Sequence, residues 1–502
     1  MTLYRSADGG GTSVVNGQSP WAGKRVHFIG IGGTGMRGAA RMLLQQGCLV
    51  SGSDLHDSEW LRDLRAQGAR IYVGHHASQL PARVDLVVIT AAIPSDNPEL
   101  RCAQARGTRV MKYAELVGEL MLGHEGIAIS GTHGKTTTTA LTAWLLRRAG
   151  CDPSFVIGGE VPQLGGNAHL GAKCGKGNYF VVEACEYDRS FWHLHPKYAV
   201  ITNVDRDHLD FYGNLESIVA AFAGFCRGMM PGGFLLVNGD DANALRAARS
   251  APCPVTTYGW GAGLDWRVVD YCCDSSVGGA RSRFWLEHGD ERLGPFEIAF
   301  PGAHYAFDAA AAAIVCLGLG VVLETVTEGI ASYRGTRRRF EEVGFVRGVR
   351  IIDDYGHHPT EIATTLAAAR QKFPKNRIWC VFQPHQYSRT RLLLEEFARA
   401  FGVADRVIVP DIYSVRDSEA DKEAVSSYDL VQRMRALGVT AEHISTLIAV
   451  VERLVEAVEP GDVVVTMGAG SVDQVGRHLL YRLRGGATEG ASRECADCSP
   501  AA

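Results

Sequence analysis

The sequence has no apolar run long enough to cross a lipid bilayer. Its N-terminal segment, residues 1–23, is polar and rich in Gly and Ser, so the apolar core of a secretory signal is missing there. Basic residues are not in excess either, because Lys and Arg total 51 against 55 Asp and Glu. Chains that bind nucleic acid usually show such an excess. We therefore expect a cytoplasmic protein that neither inserts into a membrane nor binds nucleic acid.

The cysteines do not form a disulfide framework. There are 13 of them, an odd number, and they are scattered along the chain, whereas disulfide-stabilised proteins carry even numbers in a short sequence. Cys495 and Cys498 form a single C-x-x-C in a polar tail, but a zinc site usually needs a second pair or nearby histidines. We interpret this pair as a chance spacing.

What is present is a long chain with ample material for several cores. It has 502 residues, of which 46% are hydrophobic and 21% charged, and at roughly 150 residues per domain this suggests about three domains. Short apolar runs alternate with helical segments in three blocks, which begin near residues 26, 126 and 341. This alternation predicts α/β domains with doubly wound, mostly parallel sheets. Residues 260–300 alternate in a way that favours antiparallel strands.

A first glycine loop, Gly30-x-Gly32-x-x-Gly35, follows the apolar run 26–29 and precedes a helical segment. Asp54 ends the next predicted strand, roughly 20 residues farther on, as in dinucleotide-binding folds. Glycines let the backbone approach a pyrophosphate, the helix N-terminus offers free N–H groups to it, and the acid suits a ribose hydroxyl. The pattern alone favours NAD, but a UDP-sugar satisfies the same physics, so both ligands remain open.

A second glycine loop, residues 131–137 (GTHGKTT), also lies between a predicted strand and a predicted helix. It departs from the strict P-loop pattern, because Ile129 stands where another glycine is usual. Its Gly134-Lys135-Thr136 segment is still placed so that backbone N–H groups surround phosphates, Lys135 neutralises the β- and γ-oxygens and Thr136 binds Mg²⁺. The loop therefore predicts ATP and Mg²⁺ as cofactors.

A P-loop needs an acidic Mg²⁺ partner at a strand end. Glu183 ends an apolar run and fits that position, whereas Glu186, which follows closely, also fits a solvated loop carboxylate. A polar cluster follows the next run, with His208 among several flanking aspartates. We interpret His208 as a ligand of a second ion or as a group that orients substrate. A polar turn explains the flanking aspartates equally well.

Several stretches together resemble the Mur ligases, and within them the enzymes that add the first amino acid. The resemblance covers residues from about 23 to 484, and the order and spacing of its motifs are highly specific. The motifs are GIGGTGM (30–36), IPSDNPE (93–99), GTHGKTTTT (131–139), GGEVPQLGGNAHLG (158–171), EACEYDRSFWHLHP (183–196), GTRRRF (335–340), DDYGHHPTE (353–361), FQPHQYSRT (382–390) and GAG (468–470).

This resemblance implies an ATP-dependent ligase of peptidoglycan precursor synthesis that joins the lactyl carboxylate of UDP-N-acetylmuramate to L-alanine through an acyl phosphate. It also implies three domains between flexible tails, with the first glycine loop holding UDP rather than NAD. We expect a monomer or a homodimer. The implied boundaries are a tail (1–22), a Rossmann-like UDP-sugar domain (23–124), a central P-loop ATPase-type domain (125–338), a Rossmann-like C-terminal domain for amino acid and nucleotide (339–484) and a second tail (485–502).

The resemblance also implies roles for individual residues. Those implied for the UDP-sugar are Gly30, Gly32, Gly33, Thr34, Gly35 and Asp54. Those implied for ATP are Gly131, Thr132, His133, Gly134, Lys135, Thr136, Thr137, Tyr305, Asp308, Arg339 and Asp354. The implied catalytic residues are Lys135, Glu183, His208, Arg339 and His357, the Mg²⁺ ligands are Thr136, Glu183 and His208, and the amino-acid contacts are His358 and Arg389. The two adjacent histidines also fit a helix-capping loop before a proline.

Four positions depart from the family pattern. Tyr305 and Asp308 stand where the family has asparagines in its adenine loop, which puts the adenine contacts in question, and Tyr305 could stack on the base instead. Gln386 replaces an arginine expected near the amino-acid carboxylate, a role that Arg389 or the arginine two residues farther on could take over. Cys185 stands where Asp is usual and removes one acidic group from this region.

Three other functions remain open from the sequence. The nearest is the murein-peptide recycling ligase, which adds a tripeptide to the same UDP-sugar. The stretches DDYGHHPTE and HLHP favour the alanine enzyme, whereas Tyr187 resembles the recycling type. An NAD-dependent oxidoreductase would leave Lys135, Glu183 and Arg339 without a role. A catalytically silent UDP-muramate sensor is disfavoured because every phosphate-handling residue is retained.

Overall fold

The computed structural model describes residues 19–171, 178–274, 280–415 and 417–485. Nearly all of the two predicted tails lies outside these ranges, and so does the Cys495–Cys498 pair. The strands form three sheets of five, ten and six strands. Within the described ranges, no helix combines the length and the apolar character needed to span a membrane.

The N-terminal sheet is parallel throughout and confirms the predicted doubly wound arrangement. Its strands are β1 (Arg25–Ile29), β2 (Leu49–Asp54), β3 (Arg70–Val73), β4 (Leu86–Ile89) and β5 (Val110–Lys112), in the order β3-β2-β1-β4-β5. Its helices are α1 (Thr34–Gln45), α2 (Glu59–Ala66), α3 (Pro98–Ala105) and α4 (Tyr113–Met121). The central strands β1 and β4 are apolar and largely buried, as a parallel sheet covered on both faces requires.

The central sheet has ten strands, most of them parallel. They are β6 (Glu125–Ser130), β7 (Ser154–Val156), β8 (Ala168–His169), β9 (Tyr179–Glu183), β10 (Tyr198–Ile201), β11 (Phe234–Asn238), β12 (Val255–Gly259), β13 (Trp266–Asp274), β14 (Arg281–His288) and β15 (Glu291–Ile298), in the order β15-β14-β13-β12-β11-β10-β6-β9-β7-β8. The helices are α5 (Lys135–Arg148), α6 (Leu209–Tyr212), α7 (Leu215–Arg227), α8 (Ala242–Ala248), α9 (Ala303–Gly318) and α10 (Leu323–Ala331). Strands β13 to β15 pair antiparallel, which confirms the prediction for residues 260–300.

Helix α9 packs against α5, the helix that follows the second glycine loop. All the alanines of the run 309–313 are buried, and such short side chains let neighbouring helices approach closely. The first turns of α9 therefore lie over the glycine loop, so that a Cβ added to Gly134 would be only 2.4 Å from Asp308 Oδ1. In this way the packing of two helices places an acidic side chain at the second glycine loop.

The C-terminal sheet is parallel except for its first strand. Its strands are β16 (Glu341–Val346), β17 (Val349–Asp354), β18 (Ile378–Phe382), β19 (Arg406–Val409), β20 (Ala441–His443) and β21 (Val463–Met467), in the order β16-β17-β21-β18-β19-β20. The helices are α11 (Pro359–Lys372), α12 (Tyr387–Leu392), α13 (Leu394–Arg399), α14 (Glu419–Ala424), α15 (Ser427–Ala436), α16 (Leu447–Ala457) and α17 (Asp473–Leu483).

A buried carboxylate joins three segments of the N-terminal domain. Glu99 in α3 is fully buried, with its Oε2 2.6 Å from His27 Nε2 on β1 and its Oε1 3.1 Å from His75 Nδ1 after β3. Burial raises the pKa of Glu99, but the hydrogen bonds with the two histidines outweigh it and lower the pKa to about 2. The ionised form is therefore the one that the folded domain stabilises.

We predict that Glu99→Gln lowers the free energy of unfolding by about 3 kcal/mol at pH 7, because it removes the buried carboxylate that two histidine rings hydrogen-bond. The folded pKa lies below the unfolded value, so this contribution is present above about pH 4.5 and is lost as the pH falls toward 2. Urea denaturation across this pH range measures the difference. Glu216→Gln, at an exposed ion pair with Arg246, is the matched control, and equal midpoints for Glu99→Gln and the unmodified chain would contradict the prediction.

Candidate active site

The second glycine loop joins β6 to α5, as the sequence predicts. Gly131 and Gly134 have φ angles of 140° and 81°, which side chains rarely adopt. A Cβ at Gly131 would also lie 1.9 Å from Thr202 Oγ1, so glycine is required there. The backbone N–H of His133 donates to Asn203 Oδ1 at 2.8 Å. The loop is therefore held by the segment that follows β10.

Lys135 is the first residue of α5, and its ammonium group folds back over the loop. Nζ donates to Thr132 O at 2.9 Å and lies 2.9 Å from Glu186 Oε2. Burial disfavours the charge on Lys135, but the carboxylate of Glu186 outweighs it and raises the pKa of Lys135. Glu186 is only 2% exposed, so its interpretation as a solvated loop carboxylate is wrong. The loop thus carries a permanently charged cation.

Three residues from distant parts of the chain meet beside the loop. Thr136 Oγ1 donates to Glu183 Oε1 at 3.1 Å, and Arg339 Nη2 lies 3.4 Å from Thr136 Oγ1. The N–H of Gly158 donates to Glu183 Oε2 at 2.7 Å and fixes the carboxylate. A hydroxyl and a carboxylate are oxygen ligands of the kind that Mg²⁺ prefers, and the guanidinium adds a positive charge.

His208 precedes α6 and has a φ of 51°. Its Nε2 lies 4.0 Å from Glu186 Oε1 and 3.7 Å from Asp207 Oδ2. Its Nδ1 is buried and has no hydrogen-bond partner in the part of the chain that the structure describes. The structure thus brings Thr136 and Glu183 into contact, whereas His208 lies beside Glu186 in the same polar cluster.

A cleft of about 560 Å³ opens next to the loop. It is lined by the glycine loop, the segments that follow β10 and β11, the start of α9, and the C-terminal domain near α11. The residues predicted for ATP that line it are His133, Gly134, Thr137, Tyr305, Asp308, Arg339 and Asp354. The first glycine loop does not line this cleft, so the two glycine loops face different sites.

The chain matches three protein-family models, one after another along the sequence. Residues 25–125 match "Mur ligase family, catalytic domain", 129–316 match "Mur ligase middle domain" and 338–470 match "Mur ligase, glutamate ligase domain". A UDP-N-acetylmuramate–L-alanine ligase of Caldanaerobacter subterraneus is 42% identical over 458 residues, which cover 91% of this chain and 97% of that protein. One from a Geobacter species is 43% identical over 462 residues, covering 92% and 98%. The chain belongs to the Mur ligase family.

Solved structures have the same fold. The crystal structure of UDP-N-acetylmuramate–alanine ligase from Thermotoga maritima gives a TM-score of 0.78 at 27% identity, covering 92% of this chain and 99% of that chain. A murein peptide ligase from Psychrobacter arcticus gives 0.71 at 24% identity, covering 93% and 100%, which is a likeness of fold alone. These comparisons confirm the predicted three-domain α/β architecture.

Two aromatic residues at the start of α9 line the cleft of this Mur ligase, but they pack on different neighbours. Tyr305, which the sequence suggests as a partner for the base, is 4% exposed and packs its ring on Phe300 at 4.9 Å. Phe307, which the sequence does not single out, lines the cleft and stacks on Tyr258 at 4.7 Å. The aromatic wall of the cleft therefore includes a residue that could have been found only from its helical spacing.

Asp308 stands where the family pattern has asparagine. It is 5% exposed, and burial raises its pKa to about 8, although Arg339 acts in the opposite direction. The side chain is therefore a neutral carboxylic acid at pH 7. A neutral carboxyl has one O–H donor and one carbonyl acceptor, so it offers the same kinds of hydrogen bond as the amide that it replaces.

Asp354, predicted for the ATP ribose, lines the cleft but also holds the turn that carries Arg339. Its Oδ2 accepts from the N–H of Phe340 at 2.8 Å and its Oδ1 from the N–H of Gly356 at 2.7 Å. Both oxygens thus bind backbone groups, which explains why the side chain is only 4% exposed. Its contact with ribose stays a prediction.

The two adjacent histidines lie at the start of α11. His358 is its N-cap, with Nδ1 accepting from the N–H of Thr360 at 3.3 Å, so the helix-capping interpretation is confirmed for it. The N–H groups of both histidines donate to Glu361 Oε2, at 2.9 and 3.2 Å. Burial lowers the pKa of His357 to about 4, so its ring is neutral at pH 7. Glu361 is a contact that the sequence did not single out.

Arg389 and Gln386 lie at the start of α12. Arg389 Nε and Nη2 donate to Asp207 Oδ1 at 3.1 and 3.0 Å, and the arginine is 8% exposed. Burial raises the pKa of Asp207, but the guanidinium holds it well below its usual range. Gln386 is 2% exposed and its Nε2 donates to Val415 O at 3.3 Å. The predicted amino-acid contact Arg389 is therefore already paired with an acid of the central domain.

The first glycine loop faces the junction of the N-terminal and central domains. Gly32 N donates to Asp54 Oδ2 at 2.7 Å, and a Cβ at Gly32 would meet the same oxygen at 2.7 Å. Thr34 O accepts from Asn167 Nδ2 at 2.8 Å. Gly33 is the N-cap of α1. The predicted strand–loop–helix geometry is present, with the acid closing onto the loop.

We predict that Asp308→Asn becomes increasingly more stable than the unmodified chain as the pH rises. The folded pKa of Asp308 lies above the unfolded value, so folding is penalised progressively from about pH 4 to pH 8, by at most about 1.4 kcal/mol per pH unit. The difference should level off above pH 8. Thermal unfolding of the two chains at pH 5, 7 and 9 measures it.

The matched control for this prediction is Asp63→Asn, on the exposed face of α2. This change removes the same charge without altering a buried group, so it should produce no difference that grows with pH. A stability difference for Asp308→Asn that is the same at all three pH values would show that Asp308 is ionised in the folded protein.

Proposed function

We propose that this Mur ligase joins the lactyl carboxylate of UDP-N-acetylmuramate to the amine of L-alanine, with conversion of ATP to ADP and phosphate. The observation that carries the proposal is the convergence of Lys135, the Thr136–Glu183 pair and Arg339 at the second glycine loop, beside a cleft that Arg339 also lines. The relatives that are UDP-N-acetylmuramate–L-alanine ligases match this chain over nearly its whole length, which supports the choice of substrates. The first glycine loop, with Asp54, would hold the UDP part.

The chemistry requires a strong concentration of positive charge. A free carboxylate is a poor acyl donor because its leaving group would be oxide. Attack of the lactyl carboxylate on the γ-phosphorus of ATP breaks the bond to the β-phosphate oxygen, releases ADP and leaves an acyl phosphate. Lys135 and Arg339 would neutralise the charge on the transferred phosphoryl group, and such preorganised cations stabilise the transition state electrostatically.

The residues at the loop also fit Mg²⁺. Thr136 and Glu183 supply oxygen ligands, and His208 has a buried Nδ1 without a partner in the same cluster. Thr136 and Glu183, with His208 nearby, would hold a Mg²⁺ ion there, and its positive charge would make the γ-phosphorus more open to attack. The ammonium of Lys135 is held by Glu186, so the cation and the metal ligands occupy fixed, adjacent positions.

In the second step the amine of alanine attacks the acyl carbon. A tetrahedral intermediate forms, the bond to the phosphate oxygen breaks, and the amine loses a proton as the amide forms. His357 is neutral at pH 7 and can accept a hydrogen bond from the incoming amine. Arg389 would hold the alanine carboxylate with the part of its guanidinium that Asp207 does not use, and such positioning lowers the entropic barrier.

The test is release of phosphate from ATP and Mg²⁺ with UDP-N-acetylmuramate and one acceptor at a time. We expect release that requires both the UDP-sugar and L-alanine, with little release for glycine or L-serine. Lys135→Ala should reduce kcat by at least about 1000-fold, since it removes about 4 kcal/mol of transition-state stabilisation. Lys197→Ala, at a solvent-facing pair with Glu125, should leave the rate unchanged.

The acceptor that is used decides between the related functions. Preference for the L-Ala-γ-D-Glu-diaminopimelate tripeptide would assign the protein to murein-peptide recycling. Binding of the UDP-sugar without release for any acceptor would identify a silent sensor. Reduction of NAD with a small substrate would overturn the ligase altogether.

We predict that Arg389→Lys raises the KM for alanine about tenfold, a loss of about 1.4 kcal/mol. A lysine cannot hold Asp207 and a substrate carboxylate together, because it lacks the planar fork of guanidinium. The KM for ATP should stay unchanged. Arg391→Lys is the matched control, since Arg391 pairs with Asp421 at the surface. A larger effect from Arg391→Lys would transfer the amino-acid contact to that residue.

A further inference from the structure

Two histidines and an aspartate meet where the central and C-terminal domains touch. His133 Nε2 lies 3.3 Å from Asp205 Oδ2, and the rings of His133 and His358 are 4.8 Å apart. One donor atom from each of the three residues lies within 4.8 Å of the other two. Among the described residues, this is the group whose histidine, cysteine and carboxylate ligand atoms are close enough together to hold one ion.

The remaining ring nitrogens of both histidines face acceptors. His133 Nδ1 lies 3.4 Å from Glu361 Oε1, and His358 Nε2 lies 3.1 Å from the carbonyl oxygen of Arg206. Histidines that bind metals usually donate their second N–H to a carboxylate or a backbone carbonyl, which fixes the tautomer and the ring orientation. The carboxylate is oriented as well, because Thr360 Oγ1 donates to Asp205 Oδ2 at 3.1 Å. The surroundings therefore match those of a metal centre.

We propose that His133 Nε2, Asp205 and His358 Nδ1 form a binding site for Zn²⁺ or a cation of similar chemistry, which joins the glycine loop to the start of α11. This proposal does not depend on the ligase activity.

The ligand set distinguishes this site from the proposed Mg²⁺ site. Two imidazoles and one carboxylate suit zinc and cobalt, whereas Mg²⁺ prefers oxygen ligands. Zinc lies about 2.0–2.1 Å from such donors, so tetrahedral ligand atoms are about 3.3 Å apart. The present separations require movements on the order of 1 Å in the two rings. A metal on His358 Nδ1 would replace the capping hydrogen bond from the N–H of Thr360. This costs little, because that hydrogen bond is already long, at 3.3 Å.

The position of the site determines its effect. His133 and Asp205 belong to the central domain and line the nucleotide cleft, whereas His358 belongs to the C-terminal domain. A cation bound by all three would fix the two domains in contact. We therefore expect Zn²⁺ to raise the thermal unfolding midpoint of the free chain.

The test is titration of the full chain, first freed of metal by a chelator, with Co²⁺ and with Zn²⁺. Cysteines are blocked with N-ethylmaleimide, so that thiols cannot supply ligands. We expect one Co²⁺ per chain with the intense visible absorption of a tetrahedral site, and its displacement by Zn²⁺ but not by excess Mg²⁺. Asp205→Asn and His358→Gln should each weaken Zn²⁺ binding at least tenfold in calorimetry and abolish the thermal shift.

Two control variants separate this site from other histidines. His443→Asn removes a histidine of similar surroundings, with Nε2 2.7 Å from Asp411 Oδ1, and should bind Zn²⁺ as the unmodified chain does. His208→Asn should also retain Zn²⁺ binding, because His208 belongs to the proposed Mg²⁺ site with Thr136 and Glu183. Unchanged affinity in Asp205→Asn, which preserves the shape of the side chain, would overturn the proposal. The proposal would also be overturned if His208→Asn were the one variant that lost Zn²⁺ binding. Absence of Zn²⁺ binding in the chain with blocked cysteines would overturn it as well.

Discussion

The ring of His133 lies between two carboxylates that come from different domains. Its Nε2 is 3.3 Å from Asp205 Oδ2 and its Nδ1 is 3.4 Å from Glu361 Oε1. Burial lowers the pKa of His133, but the two acids outweigh it and raise the pKa to about 9, so the free protein carries an imidazolium here. Because the glycine loop belongs to the central domain and Glu361 to the first turn of α11, this charged contact joins the two domains at the loop.

Arg339 contacts the same carboxylate of Glu361. Its guanidinium lies 3.9 Å from Glu361 Oε1 and 3.4 Å from Thr136 Oγ1, so it lies between the first turn of α11 and the glycine loop. The turn that carries it is strained, since Arg338 and Phe340 have φ angles of 60° and 49°. Such strain persists only where surrounding hydrogen bonds over-determine the backbone. The buried carboxylates that bind this turn supply them, so the position of Arg339 results from contacts within the C-terminal domain and with the glycine loop.

The sequence predicts the strand ends and both glycine loops because these depend on local patterns of apolar runs, glycine and the helix start. It does not predict which acids are buried. Lys135 pairs with Glu186, which is 51 residues away in the sequence, and Arg389 pairs with Asp207, which is 182 residues away. A local sequence pattern does not predict ion pairs between residues so far apart. A loop carboxylate near a strand end therefore looks the same whether solvent or a cation faces it. The order of the motifs is enough to identify the family, whereas the charge balance of the site can be read only from the folded structure.

The departure at Gln386 illustrates how one substitution alters that balance. Gln386 occupies a left-handed backbone conformation with φ of 73°, its N–H donates to Tyr413 O at 3.0 Å, and its side chain reaches Val415 O. The side chain thus secures a loop, where the family pattern has a cation. Arg389 then remains to balance Asp207, and the pair is close to neutral. Under the proposed function, a substrate carboxylate would share Arg389 with Asp207, so its attraction would depend more on hydrogen-bond geometry than on net charge.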